Sequence, residues 1–157
     1  MNVKSLYSSQ DIRDKIRELF SIEYSNRRRV ACVAYIGKDC LDYIPYASGV
    51  EIYCWPQVGS TNPIGLNRLI TSGANVFFID KLHTKVYWTD GIGVLVTSAN
   101  LSKNALDGGS LHEFGVYFDD SKQVSMAKKN DPVAANKIDP VSTKKYQKLS
   151  ISLTSGS

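Results

Sequence analysis

The sequence has little with which to bind a transition metal or to staple a secreted fold. Its 157 residues include two histidines, His83 and His112, and three cysteines, Cys32, Cys40 and Cys54. The cysteines are odd in number and lack metal-ligand spacing, which argues against a zinc site and against a disulfide framework. Cys32 and Cys54 lie in apolar strand patterns, where a thiol behaves as a small hydrophobe. No apolar run approaches the roughly 20 residues that cross a bilayer, and no charged-then-apolar leader opens the chain. A cytoplasmic location, away from membranes, is therefore expected.

Charge of one sign is also scarce over most of the chain. Residues 1–124 carry 13 basic and 13 acidic side chains, whereas residues 125–157 carry six lysines against Asp131 and Asp139, so the net charge of +4 lies in the last stretch. The pattern predicts a domain over 1–124, followed over 125–157 by a basic tail, a linker, or the approach to a further domain. A neutral body still permits DNA contact where cations cluster. Arg27, Arg28 and Arg29 form one such cluster, with Arg68 and Lys103 as further candidates.

What is present is an alternation of strand and helix signals, hence an α/β layered fold. Ser9 is placed to cap an amphipathic helix whose Ile12, Ile16, Leu19 and Phe20 share one face. Val30 to Ile36 and Val50 to Trp55 read as buried strands. Asn62 and Pro63 open a second helix that Gly73 ends. Three strands follow at Asn75 to Ile79, Lys85 to Trp88 and Gly93 to Thr97, the last two joined by a turn at Thr89-Asp90-Gly91. Ser102 caps a short helix, and Glu113 opens a last strand running to Phe118. A further short helix is expected over Lys122 to Lys129.

The chemistry concentrates around that hairpin. Residues two apart in a strand face the same way, so His83 points with Lys85, and Ser98 with Asn100. A neutral imidazole attacks phosphorus in line, while an ammonium and an amide hold the non-bridging oxygens where negative charge gathers. That chemistry calls for no metal. Asp90 has a turn role beside Gly91, with support of the site from a second layer as the alternative. Tyr87 and Trp88 alternate faces beside the site, one towards a groove and one towards the core, although core packing is the simpler role for each.

The series His83-x-Lys85-x4-Asp90-x6-Thr97-Ser98-x-Asn100 resembles the HKD signature of the phospholipase D superfamily, with Thr97 where the usual form has glycine. The resemblance implies a phospholipase D-like layered fold, with a central mixed β-sheet flanked by helices. It further implies a metal-independent phosphodiesterase with no cofactor, in which a catalytic histidine, His83, becomes covalently phosphorylated. Glu113 matches the acidic residue that orients this histidine. The superfamily uses two such motifs per centre, but His112 has neither a lysine two positions on nor a following Ser-x-Asn. A homodimer with a composite site is therefore implied. The pattern is most similar to small nucleases and to the catalytic domains of metal-independent restriction endonucleases. DNA is the expected substrate, with a duplex favoured by two-fold symmetry. Two alternatives remain open: a phospholipid or small-phosphodiester hydrolase, and a non-catalytic DNA-binding dimer.

Overall fold

Apolar residues spaced for a helix and apolar residues in continuous runs meet in one layered arrangement. The computed structural model describes residues 2–108 and 111–119. The expected tail at 125–157 and the short helix expected from Lys122 lie outside them.

The strands are β1 (Val3–Leu6), β2 (Arg29–Val33), β3 (Glu51–Cys54), β4 (Asn75–Phe78), β5 (Lys85–Thr89), β6 (Gly93–Thr97) and β7 (Gly115–Phe118). They form a mixed sheet of seven in the order β1-β7-β6-β5-β2-β3-β4. β2, β3 and β4 are mutually parallel neighbours, while β5, β6, β7 and β1 continue the sheet in antiparallel steps. The parallel half needs crossovers, and α2 (Pro63–Thr71) supplies the one between β3 and β4. The antiparallel half is closed by the hairpin turn after Thr89, where Gly91 takes φ of 70°, a left-handed conformation that favours glycine.

Helix α1 (Ser9–Leu19) starts one residue earlier than the sequence suggests. Ser8, not Ser9, is its cap, and its hydroxyl oxygen accepts from the Asp11 amide at 3.0 Å. Ile12, Ile16, Leu19 and Phe20 are fully buried, each stabilising the fold by about 1.5–3 kcal/mol relative to exposure. Asn62 caps α2 as expected, accepting from Ile64 N at 2.9 Å. Ser102 holds the cap position of α3 (Lys103–Leu106), but its side chain makes no capping hydrogen bond.

Two apolar clusters flank the sheet. The larger one joins helix residues such as Ile16, Leu69 and Leu106 to strand residues such as Val33, Ile52, Tyr87 and Leu95. The smaller one, built on Val30, Cys32, Tyr53, Trp88 and Val94, takes no helix residue among the described ones. Both Tyr87 and Trp88 are buried, at 0% and 5% exposure, so neither lines a groove. The three cysteines are free and buried. Cys40, in a short 3-10 turn at Cys40–Asp42, has its thiol pushed up to about 11 by burial.

Two elements depart from expectation. β1 carries no alternation in its sequence, VKSL, and three of its four residues are exposed, so only pairing with β7 makes it a strand. β7 begins at Gly115 and leaves Glu113 in the preceding loop.

Candidate active site

The site forms where several strands end together. In the antiparallel β2–β5 pair Val33 lies opposite Lys85, and in β5–β6 Val86 lies opposite Val96. Carrying these registers past the last paired residues sets Tyr35 and Ala99 on either side of His83. A direct contact supports the first: the Tyr35 and His83 rings meet edge to face, with centroids 6.4 Å apart. The C-terminal ends of β2, β3 and β6 thus converge on the N-terminal end of β5. Crevices beyond the carboxyl ends of parallel strands are the usual place for a site in an open α/β sheet.

His83 is exposed and Lys85 is buried beneath it. The ammonium donates to the His83 carbonyl oxygen at 2.9 Å and lies 3.3 Å from both ring nitrogens, only one of which can accept in a neutral imidazole. Burial lowers the Lys85 pKa from its ordinary value, and the Glu113 carboxylate partly offsets that.

Asn100 is fixed by the neighbouring strand end. Its Oδ1 accepts from the Tyr35 amide at 3.2 Å, which leaves the amide NH2 as the end able to donate to an anion. Tyr35 therefore joins two expected residues, touching His83 with its ring and Asn100 with its backbone.

Ser98 and Glu113 form a second pair. The Ser98 hydroxyl donates to Glu113 Oε2 in a short hydrogen bond and accepts from Phe114 N at 3.0 Å. Glu113, at 9% exposure, thus has Ser98 as its hydrogen-bond partner rather than His83, the partner that the resemblance implies. Its carboxylate instead reaches Lys85 through space. Thr97, the departure from the usual glycine, is occupied with backbone: its hydroxyl donates to the Phe114 carbonyl at 2.7 Å and accepts from Ala99 N at 3.2 Å. Beyond Glu113 a groove of about 460 Å³ continues past His112 and Arg13 to Tyr7.

Other expected residues lie elsewhere. Asp90 sits in the turn at the opposite end of β5 from Lys85, its amide donating to the Arg28 carbonyl at 2.9 Å, so it supports the hairpin and not the site. The arginine run is at that same far end, because Arg29 pairs with Thr89. Four strand steps, on the order of 13 Å, separate that end from Lys85. Arg29, expected as a DNA contact, turns inward instead: it is 1% exposed and donates to the carbonyls of Tyr46 and Ser48 at 2.8 and 2.6 Å. Arg28 pairs with Glu51 at 2.9 Å and lies over the Trp88 ring, while Arg27 reaches the Asp90 carbonyl at 3.2 Å. Arg68 and Lys103 lie at the same end of the sheet as His83. Arg68 donates to the Lys38 carbonyl at 2.8 Å, and Gly37 joins Leu101, just ahead of Lys103, by a 2.8 Å backbone bond. Lys38 is thereby added to the cations at this end.

Tyr35, Trp55 and Gln57 join this end of the sheet without belonging to any motif in the sequence. Trp55 stacks on Tyr35 with centroids 6.1 Å apart, and the Tyr35 hydroxyl donates to Gln57 Oε1 at 3.0 Å. Their one sequence signal is that each aromatic ends an apolar strand run, where side chains pass from the core into a crevice.

No protein-family model matches the sequence, and no curated protein does. Solved structures do resemble it. NucT from Helicobacter pylori superposes with a TM-score of 0.60 at 19% identity, over 82% of this chain and 92% of that one. Nuc from Salmonella typhimurium, a phospholipase D family member, superposes with a TM-score of 0.61 at 18% identity, over 82% of this chain and 90% of that one. The mixed sheet and its flanking helices are those of a phospholipase D-like α/β fold.

Proposed function

We propose that the protein is a phosphodiesterase that cleaves DNA, with His83 as nucleophile and Lys85 and Asn100 as the oxyanion-stabilising donors. The observation that carries this reading is the gathering of an exposed imidazole, a buried ammonium and a half-fixed amide at one set of strand ends. The superposition on a phospholipase D family member agrees with it.

In the proposed reaction a His83 ring nitrogen attacks phosphorus and forms an N–P bond while the P–O bond to the leaving group breaks in line. A second imidazole gives its proton to the leaving oxygen. The same group, now neutral, takes a proton from water as the water oxygen attacks phosphorus, and the N–P bond breaks to restore His83. Charge builds on the non-bridging oxygens in both steps, which is where a pre-positioned Lys85 ammonium and Asn100 amide contribute most. Glu113 and Ser98 act on this centre through Lys85 and the Phe114 loop.

The second imidazole comes, in this proposal, from a second copy of the chain, since His112 stands beside Glu113 in the flanking groove and brings no lysine with it. Two copies of the site facing one phosphorus across a two-fold axis make a composite centre. Arg68, Lys103 and Lys38 supply phosphate contacts along the approach to the site.

Incubation of supercoiled plasmid with the wild-type protein in excess chelator should give nicked or linear product, and the H83A variant should give none. Loss of cleavage in chelator with return on magnesium addition rejects the mechanism. Discrete fragments would identify the cleavage domain of a restriction enzyme, and a continuous smear a general nuclease.

A further inference from the structure

We propose that Tyr35 and Trp55 form a stacking shelf for an unpaired nucleobase next to the scissile phosphate, so that single-stranded or locally opened DNA is the substrate. The inference rests on the phosphodiesterase reading and narrows it. Symmetry alone favours a duplex, but the residues around His83 do not.

Three observations place the shelf. Tyr35 abuts the His83 ring at 6.4 Å, edge to face, so any phosphate at His83 has this ring as a neighbour. Trp55 lies nearly parallel to Tyr35, with 27° between planes and 6.1 Å between centroids, so the two rings form one stacked aromatic pair. The shelf is held rigid: the Tyr35 hydroxyl donates to Gln57 at 3.0 Å, its amide donates to Asn100 at 3.2 Å, and Trp55 N donates to the Ala34 carbonyl at 3.2 Å. Both rings are half-buried, unlike Tyr87 and Trp88, which the core encloses. An aromatic pair that is fixed, partly open and adjacent to the reacting group is suited to stack a flat, sequence-tolerant π-face. In a duplex the bases already stack on one another inside the helix, and a phosphate docked at His83 would carry no base within reach of the shelf. An extended single strand presents its bases outward beside each phosphate. Lys38, Arg68 and Lys103 would follow its backbone, leaving the arginine run at the other end of the sheet unused.

The protein contains two tryptophans, and Trp88 is 5% exposed, so a change in tryptophan emission on binding reports on Trp55. Titration of the full chain with a single-stranded oligonucleotide should quench this emission, and the same strand carrying an abasic site beside the docked phosphate should quench it far less. In cleavage assays, the ratio of kcat/KM for the normal over the abasic strand should fall about tenfold in W55A, the loss of one base–aromatic stack, and W55F should restore most of it. Equal quenching by normal and abasic strands, or an unchanged ratio in W55A, overturns the shelf. Quenching by glycerophosphocholine but not by DNA also overturns it, in favour of a choline diester. Base-dependent quenching without cleavage would retain the shelf and reject the nuclease. Metal-free cleavage with no base dependence would do the reverse.

Discussion

Lys85 is the residue whose role depends most on where the fold puts it. As a sequence position it is a cation two residues after a histidine; in the structure it is buried, with its pKa lowered by desolvation and partly held up by Glu113. In the proposed reaction its charged form is the one that stabilises the transition state. The rate should therefore hold at neutral pH and fall as pH rises through a pKa below the ordinary 10.5. Replacing Glu113 by Gln removes the offset, so the alkaline limb of the kcat/KM profile should move to lower pH; a limb that stays in place or moves up would contradict the coupling. N100A should lower kcat by on the order of 10²–10³ with DNA affinity retained, as for loss of one oxyanion donor. That His83, Lys85, Ser98 and Asn100 gather at one end of the hairpin was legible from their spacing. The partner of Glu113 was not, because a hydrogen bond to Ser98 across 15 residues depends on how a loop enters β7. Nor could the arginine run reveal that its third member turns inward to two backbone carbonyls.

At the scale of elements, helices with a clear apolar face and strands with continuous apolar runs were readable, and α2 with its Asn62 cap and Pro63 was almost fully specified. β1 was not, since an exposed four-residue edge strand exists only through its partner. Sequence order also could not say which end of the sheet holds a given residue. The antiparallel register of β2 on β5 sends Arg29 and Lys85 to opposite ends, and brings Tyr35 beside His83 across 48 positions of chain. One close approach braces that end: a Cβ on Gly65 of α2 would lie 2.2 Å from the Gly37 carbonyl oxygen. Backbone on both sides leaves no flexible group to yield. G65A should accordingly cost about 1–3 kcal/mol, the usual penalty of overpacking, read as a lower denaturation midpoint. Because the loop it displaces carries Lys38 and the Arg68 contact, DNA affinity should weaken with it. A variant as stable as wild type would show that α2 does not fix the Gly37 loop.

At the scale of the whole molecule, the proposed reaction takes two chains. A single motif supplies one imidazole with its lysine and amide, and the proposed reaction needs a second imidazole to protonate the leaving group. Sedimentation equilibrium should give twice the mass of the chain at the concentrations where cleavage is seen, and specific activity should drop on dilution below the dimer's dissociation constant. A fully active monomer would require another acid. The superpositions on NucT and Nuc establish the fold, while the chemistry rests on His83 and its neighbours.

The most direct measurement is intact-mass analysis of the protein, quenched without acid during DNA cleavage in excess chelator. The predicted result is an adduct with the mass of the retained phosphoryl-bearing strand fragment, mapped to His83 and absent from H83A. Cleavage at full rate by H83A, or an adduct on any other residue, would rule out His83 as the nucleophile.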